Sequence, residues 1–280
     1  DLRALTERYV EEAVGFIRDN SSGPFFLYFA HMYVHLPLYA PEGMVNESKN
    51  GDYGACVAGI DWATDVILNE LKQLRLDDDT LVIFTSDNGS FMHRRGADEK
   101  EDHLSDPTIQ AYNETHHTAN GDLRGTKADV WEAGHRVPFF ASWPGVIKPG
   151  SKCARTTAHV DLFATCAEIA GATLPDNAAE DSFSWLPLFR GGDWAKPRPP
   201  VINHSAGGMF ALRNGKWKLV AGNGSGGREA PKGKPFAKPY RLFDLSSDLG
   251  ERKDLAQAKP ELVGRLTAQL EDIRIRGRSR

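Results

Sequence analysis

A short polar run, Ser86-Asp87-Asn88-Gly89, follows an apolar stretch and offers oxygen atoms that could bind a cation. Asp87 would supply a charged carboxylate and Asn88 a neutral amide oxygen, the ligand types that Ca²⁺ and Mg²⁺ prefer. In open parallel α/β sheets, ligands bind beyond the carboxyl ends of the strands, and this run would lie at such an end. Asp-Asn-Gly is also ordinary turn chemistry, and on these residues alone the turn is the favoured interpretation.

Two further side chains could act on an anion. His35 follows the apolar run of residues 25–30, so a second predicted strand would deliver a polar group to the same edge of the sheet. Lys127 lies just after Gly125 in a predicted turn and could present a point charge. A lone histidine is more often a structural hydrogen-bonding residue, and a lone lysine is more often a solvated charge, so both alternatives stay open.

The elements that would position these residues alternate between helices and strands. Apolar periodicity predicts helices over residues 2–18, 53–74 and 160–170, and strands over residues 25–30, 81–85 and 137–143. Strand, helix and strand in that order predict a βαβ unit with parallel pairing, and therefore an α/β fold.

The last third of the chain has a different pattern. Short β-like runs cover residues 209–213, 216–220 and 240–245, and Asn214-Gly215 between the first two is a strong hairpin signal. Pro260 opens a terminal helix. Because Pro and Gly concentrate over residues 187–200, we expect two domains: residues 1–195, and a small antiparallel sheet with one helix over residues 196–280.

Several runs, in collinear order, resemble the later blocks of the formylglycine-dependent (type I) sulfatases, of the arylsulfatase and N-acetylgalactosamine-6-sulfatase type. The blocks are Phe25-Phe-Leu-Tyr with His35-Leu-Pro, Asp79-Thr-Leu-Val-Ile-Phe-Thr-Ser-Asp-Asn-Gly, Leu123-Arg-Gly-Thr-Lys with Trp131-Glu and Arg136-Val-Pro, Gly215-Lys-Trp-Lys-Leu and Leu242-Phe-Asp-Leu. The resemblance covers essentially the whole chain. It implies an alkaline-phosphatase-like mixed or parallel sheet with flanking helices, here incomplete, followed by the small C-terminal subdomain.

The resemblance also implies roles for particular residues. Asp87 and Asn88 correspond to two ligands of an active-site Ca²⁺, with Mg²⁺ as the alternative, and His35 and Lys127 to side chains that contact the sulfate group. His204 would lie at the rim of the substrate site, with a structural histidine as the alternative. The expected substrate is a sulfated small molecule or glycan, and the expected location is periplasmic, secreted or lysosomal.

One part of the family pattern is absent from this sequence. The family nucleophile is a cysteine converted to formylglycine within Cys-x-Pro-Ser-Arg, and Cys56, Cys153 and Cys166 do not stand in such a motif. The chain also opens with Asp1 rather than Met. We therefore expect it to be the C-terminal portion of a sulfatase, inactive without the N-terminal half that carries formylglycine. Thr126-Lys127-Ala128 also departs from the usual Gly-Lys-Gly.

Composition excludes other classes of protein. The 280 residues carry 34 basic and 38 acidic side chains, so the net charge of −4 gives no general reason to bind nucleic acid. The sequence has no apolar run near the ~18 residues that a membrane span needs. Two alternatives to a sulfatase remain: a phosphoester or phosphonate hydrolase of the alkaline-phosphatase-like group, and a non-catalytic sulfoglycan-binding protein.

Two segments have open interpretations. The polar residues 90–122 predict a long loop, in which His93, His116 and His117 either line the mouth of the substrate site or are solvated. The basic, Gly-rich residues 222–238 predict a second loop. Its lysines, from Lys232 to Lys238, either contact an anionic sugar or form an ordinary solvated loop.

Overall fold

The computed structural model describes residues 1–90 and 119–280, and these residues form two compact units. The first unit contains Asp1–Val82 and Trp143–Gly145. The second contains Asn120–Ser142, Val146–Arg280 and the described part of Ile83–Phe91. The division between residues 195 and 196 that the composition suggests stays a prediction.

Helices dominate the first unit. After a 3-10 turn at Leu2–Ala4, α1 covers Leu5–Asp19, α2 covers Glu42–Glu47 and α3 covers Gly51–Gln73. Helix α1 packs against α3 through an apolar face, and Arg18 binds both carboxylate oxygens of Glu70 on α3 at 2.7 and 2.8 Å. The helices predicted over residues 2–18 and 53–74 are confirmed.

Residues 25–30 form no strand, so the prediction of a strand and of a βαβ unit beginning there is wrong. The apolar run is not buried on both faces, because Phe26 is 67% exposed and Tyr28 is 78% exposed. The main-chain N–H groups of Ala30 and His31 donate locally, to Tyr28 and Phe29, rather than to a neighbouring strand. A continuous apolar run indicates a buried strand only where a sheet and its covering layers surround it.

A two-stranded sheet pairs β1 (Val82–Thr85) with β2 (Phe139–Ser142). Both strands lie where the sequence predicted them. The short helix α4 (Glu132–His135) precedes β2, and α5 (Asp161–Ile169) and α6 (Leu186–Phe189) follow it. Gly171 has a φ of 68° just past α5, the left-handed conformation that commonly ends a helix.

A four-stranded antiparallel sheet in the order β3-β4-β5-β6 forms the centre of the second unit. Its strands are β3 (Val201–His204), β4 (Phe210–Asn214), β5 (Trp217–Ala221) and β6 (Arg241–Asp244). Strands β4 and β5 form the hairpin that Asn214-Gly215 predicted, and Gly215 has a positive φ of 57°. The sequence did not predict β3, which has only four residues.

Neighbouring residues of a strand point to opposite faces of the sheet, and other parts of the chain cover both faces. On one face Leu212, Leu219 and Leu242 pack with Leu266 and Leu270 of α7 (Pro260–Arg276). The predicted antiparallel sheet with one helix is therefore confirmed.

The other face covers the segment that precedes α4. Val130 and Trp131 are fully buried there in a cluster with Val220 and Phe243. The sheet thereby fixes residues that lie three and four positions after Lys127.

Among the described residues, no helix combines the length and the apolar character that crossing a membrane needs.

Candidate functional site

Asp87 and Asn88 lie in a turn directly after β1. Asp87 is exposed, and its Oδ1 accepts a hydrogen bond of 2.9 Å from Asn88 Nδ2. The Ser86 hydroxyl donates to the main-chain oxygen of Asn88 at 3.1 Å and closes the turn. Among the described residues, no other group donates a hydrogen bond to the Asp87 carboxylate, so its Oδ2 can accept another partner. The run is thus both a turn and a potential ligand pair.

Gly89 brings this turn against the segment that contains α4. Its N–H donates to the Gly134 oxygen at 3.2 Å, and a Cβ at position 89 would lie only 1.5 Å from the Ala133 oxygen. Backbone atoms cannot move aside cheaply, so a larger residue here would displace the turn. Glycine at position 89 is therefore a packing requirement.

Lys127 is part of a tight turn that touches the same stretch of chain. Its N–H donates to the Ser90 oxygen at 3.3 Å, one residue after Gly89. Gly125 and Ala128 both have positive φ angles, of 83° and 82°. The structure thus joins two of the predicted groups, the Asp87-Asn88 turn and the Lys127 turn, by direct backbone hydrogen bonds.

Asp129 holds the Lys127 turn in shape, a role that sequence reasoning missed. This carboxylate is 3% exposed, and its Oδ2 accepts the Thr126 N–H at 2.9 Å. Its Oδ1 accepts the N–H groups of Arg228 and Glu229 at 2.6 and 3.0 Å. The only sequence signal was Asp two residues after Lys127, which ordinary turns share.

Arg124 connects the same segment to the far end of the chain. Its guanidinium binds the Glu229 carboxylate at 2.7 and 2.9 Å and donates to the Glu251 oxygen at 3.0 Å. The guanidinium carbon also lies 3.8 Å from the ring centre of Trp131. Arg124 therefore anchors the start of the Lys127 turn on three sides.

Glu132, the first residue of α4, belongs to a buried cluster of charged side chains. The Glu132 carboxylate is 3.1 Å from Lys218 Nζ and 2.9 Å from Arg213 Nη1. Lys218 Nζ is also 2.8 Å from the Glu251 carboxylate, whose other oxygen accepts the Glu132 N–H at 2.6 Å. Glu132, Lys218 and Glu251 are each at most 2% exposed. Such a cluster holds its members together strongly, because removing one partner leaves an unpaired buried charge.

The pKa values in this cluster shift in opposite directions. Burial alone would raise the pKa of Glu132, but the nearby cations, Lys218 above all and Arg213 with it, outweigh burial and hold the pKa well below its usual range. Burial raises the pKa of Glu251, where one cation is offset by the charge of Glu132. Burial and Lys218 lower the pKa of His135, so its ring is neutral near pH 7.

His204 ends β3 and is exposed. Its Nδ1 lies 3.0 Å from the Ser205 oxygen, and its ring packs 5.9 Å from that of Phe210. Two residues later, the Ala206 N–H donates to the Ala128 oxygen at 3.0 Å. The end of β3 is thus joined to the Lys127 turn, although the contacts of the His204 ring also suit a structural histidine.

His35 belongs to the first unit, in the segment between α1 and α2. It is exposed, and its Nδ1 lies 2.8 Å from the Leu36 oxygen. Its assignment to the sulfate group stays a prediction. His93, His116 and His117 lie outside the described residues.

The donor groups of the Asp87-Asn88 turn fit a hard cation in type but not in number. A carboxylate oxygen and an amide oxygen are suitable ligands, and Ca²⁺ takes about six to eight of them. Among residues 1–90 and 119–280, no three His, Cys, Asp or Glu side chains converge as a metal site. By itself the turn would therefore provide only part of the coordination shell of such a cation.

Burial makes two of the three cysteines poor nucleophiles. Cys56 is buried in α3, where burial raises the pKa of its thiol to about 12. Burial also raises the pKa of Cys166, and Cys153 is exposed in a loop. A thiol reacts as its thiolate, so burial makes Cys56 unreactive.

Comparison with known proteins extends this picture. The Sulfatase family model matches residues 2–172. An N-acetylgalactosamine-6-O-sulfatase of Bacteroides thetaiotaomicron is 31% identical over 279 residues, which cover 97% of this chain and 51% of that protein. The human steryl-sulfatase is 37% identical over 187 residues, which cover 67% of this chain and 30% of that protein. The chain spans about half the length, or less, of these curated relatives.

A solved structure from a study of how B. thetaiotaomicron metabolises multiple glycosaminoglycans superposes with a TM-score of 0.83. It is 29% identical, and the match covers 98% of this chain and 55% of that one. The structural neighbours are sulfatases of the alkaline-phosphatase-like fold, which confirms the α/β fold class. The 280-residue chain belongs to the sulfatase family.

Proposed function

We propose that this protein hydrolyses sulfate esters of carbohydrates and that the chain supplies sulfate-binding and cation-binding groups. The observation that carries the proposal is the pair of hydrogen bonds from Gly89 to Gly134 and from Lys127 to Ser90. They join a carboxylate-amide pair and a lysine at neighbouring turns. A cationic side chain beside oxygen ligands for a metal suits a substrate that carries a negative charge.

In this proposal Lys127 and His35 bind the sulfate oxygens. Hydrolysis moves negative charge towards the leaving oxygen, and a positive group held in place before the reaction stabilises that charge without reorganising. The half-buried Lys127 is positioned by the Asp129 and Ser90 hydrogen bonds of its turn. His204 would contribute at the rim of the substrate site.

Asp87 and Asn88 would provide two oxygen ligands for Ca²⁺, or for Mg²⁺ as the alternative. A bound divalent cation neutralises charge on a sulfate group. Rotation of the Asn88 amide would turn its oxygen, rather than its N–H₂ group, towards the ion. The remaining ligands would come from outside the described residues, and the formylglycine nucleophile from a Cys-x-Pro-Ser-Arg motif, which the 280 residues do not contain.

The three cysteines do not fit the formylglycine motif. We therefore propose that the 280 residues alone have no turnover. Hydrolysis of an aryl sulfate by the isolated chain would contradict this part of the proposal.

The main test is Lys127→Ala in the full protein, with a sulfated sugar and an aryl sulfate as substrates. We expect kcat/KM to fall by about 100-fold or more, the scale found when one transition-state donor is removed. Asp87→Ala should lower kcat/KM strongly and raise the Ca²⁺ concentration needed for activity. Lys148→Ala, which removes an exposed lysine elsewhere, is the matched control and should match the wild type.

The same assays separate the alternatives. A higher kcat/KM for a phosphate monoester than for the sulfate ester would favour a phosphoester or phosphonate hydrolase. Binding of a sulfated oligosaccharide without turnover by the full protein would favour a non-catalytic sulfoglycan-binding protein. Wild-type kinetics in Lys127→Ala would refute the role of this lysine.

A further inference from the structure

Residues 222–238, here called the basic loop, concentrate positive charge on a chain whose net charge is −4. The loop contains four basic residues, Arg228, Lys232, Lys234 and Lys238, and one acidic residue, Glu229. The Glu229 carboxylate is 7% exposed and is bound by Arg124. The one negative charge of the loop is therefore already compensated by a cation from outside it.

The lysines of the loop are available to a ligand. Lys232, Lys234 and Lys238 are exposed, and among the described residues no carboxylate forms an ion pair with any of them. Lys238 Nζ lies 4.0 Å above the ring centre of Tyr240, a contact that leaves its charge uncompensated.

The loop has a defined backbone conformation rather than being an open solvated segment. The N–H groups of Ser225 and Gly226 donate to the oxygens of Pro231 and Lys232 at 3.0 and 2.7 Å. The Lys234 N–H donates to the Asn223 side chain at 2.7 Å. Because the backbone is fixed, binding an anion here would cost less ordering entropy than binding it to a flexible loop.

The loop is attached to the Lys127 turn. Asp129 Oδ1 accepts the N–H groups of Arg228 and Glu229, and a Cβ at Gly227 would lie only 2.3 Å from the Ala128 oxygen. The close approach to Ala128, next to Lys127, explains why position 227 is glycine. Residues 227–229 of the basic loop therefore contact the turn that holds the proposed sulfate-binding lysine.

From these observations we propose that the basic loop is a second anion-binding subsite, which binds a sulfate or carboxylate group on a sugar next to the reacting one. This inference rests on the proposed function for the identity of the ligand. It names the substrate class as a polyanionic oligosaccharide rather than a singly sulfated molecule. A cluster of like charges beside a binding site attracts such a chain and fixes its direction of entry.

The test measures binding by calorimetry with the full protein, so that it does not depend on turnover. The probes are two hexasaccharides with one sulfate ester at the reacting sugar. The flanking sugars carry sulfates in one and carboxylates in the other. The triple variant carries Lys232→Gln, Lys234→Gln and Lys238→Gln. It should bind about tenfold more weakly at low salt, because three exposed ion pairs of modest strength are lost. It should also reduce the salt dependence of binding.

Two further variants separate the position of the removed charges from their number. The control triple variant combines Lys148→Gln, Lys152→Gln and Lys196→Gln. It removes the same amount of charge from exposed positions elsewhere in the second unit and should leave hexasaccharide binding unchanged. The double change Lys232→Gln and Lys234→Gln spares Lys238 and its contact with Tyr240. This double variant should still show most of the loss of hexasaccharide affinity seen in the triple variant.

Three outcomes would overturn the inference. The wild type and the triple variant could bind the hexasaccharides with equal affinity, or the control triple variant could lose as much affinity as the triple variant. The wild type could also bind a single-stranded DNA of the same charge as tightly as it binds the hexasaccharides. If the full protein has no sulfatase activity but the triple change weakens hexasaccharide binding, the proposed function is refuted and the subsite stands. If the full protein is an active sulfatase but the triple change leaves the hexasaccharide affinity unchanged, the subsite is refuted and the proposed function stands.

Discussion

At the scale of single residues, Ala128 shows how the Lys127 turn is built. Its φ of 82° lies in the region that glycine adopts freely and that a side chain makes unfavourable. The related family pattern has glycine at this position, and the structure gives the physical reason. Hydrogen bonds between Thr126 and Asp129 and between Ala206 and Ala128 hold the turn in spite of the strain.

Replacing Ala128 with glycine should therefore stabilise the protein. Relief of a left-handed conformation gains about 1–2 kcal/mol, and the greater backbone entropy of glycine costs about 0.5–1 kcal/mol. We expect Ala128→Gly to raise the free energy of unfolding by about 0.5–1 kcal/mol in urea denaturation, the difference between those two effects.

Ala58→Gly is the matched control for this change. Ala58 is exposed within α3, where glycine should lower the free energy of unfolding by about 1 kcal/mol. Destabilisation of similar size in both variants would show that the turn carries no strain at Ala128.

At the scale of elements, α7 and the sheet β3-β4-β5-β6 depend on each other. The helix presents Leu266 and Leu270, both at most 1% exposed, to an apolar cluster on one face of the sheet. Residues on its opposite side are exposed, including Ile275 at 84%. Most of the stability of such a helix comes from packing its apolar face rather than from its own propensity.

Leu270→Ala should lower the free energy of unfolding by about 2–5 kcal/mol, because it removes buried methyl groups and leaves a cavity. Thermal unfolding followed by circular dichroism measures this change. Ile275→Ala on the same helix should stay within about 0.5 kcal/mol of the wild type, since its side chain is already in water. A comparable loss in both variants would argue against the packing of Leu270 between α7 and the sheet.

At the scale of the whole molecule, the formal net charge of −4 conceals a sharply uneven distribution. Glu132, Lys218 and Glu251 are buried together, while the lysines of the basic loop face solvent. His135, which is half-buried and neutral near pH 7, lies beside that cluster, with Nε2 3.4 Å from the Glu132 carboxylate. These groups link stability to pH.

Stability should fall as the pH is lowered from 7 towards 5. The pKa of His135 is lower in the folded protein than its usual value of about 6.5. The unfolded chain therefore binds a proton first, and stability present above pH 6.5 is lost as the pH falls towards the folded pKa. His135→Gln should reduce the slope of unfolding free energy against pH in that range.

His159→Gln is the control for the pH experiment, because His159 is an exposed histidine of the same unit. Its slope should stay close to that of the wild type. An unchanged slope in His135→Gln would show that His135 does not titrate differently on unfolding.

The sequence by itself determined the local elements and the family. Helical periodicity predicted α1, α3 and α5, Asn214-Gly215 predicted the β4-β5 hairpin, and short apolar runs predicted β1 and β2. These features depend on residues close together in the chain, so a local pattern is enough to predict them. The same pattern failed at residues 25–30, where burial depends on neighbours that periodicity cannot identify.

Only the tertiary structure decided what holds the candidate site. The Asp129 carboxylate reaches Arg228, 99 positions along the chain, and Glu132 reaches Lys218 across 86 positions and Glu251 across 119. Lysine, aspartate and glutamate at such separations are ordinary surface residues until folding buries them. Folding then pairs each carboxylate with a cation or with main-chain N–H groups. The sequence block of Lys127 predicts a role for its side chain, but it does not predict the groups that hold its turn.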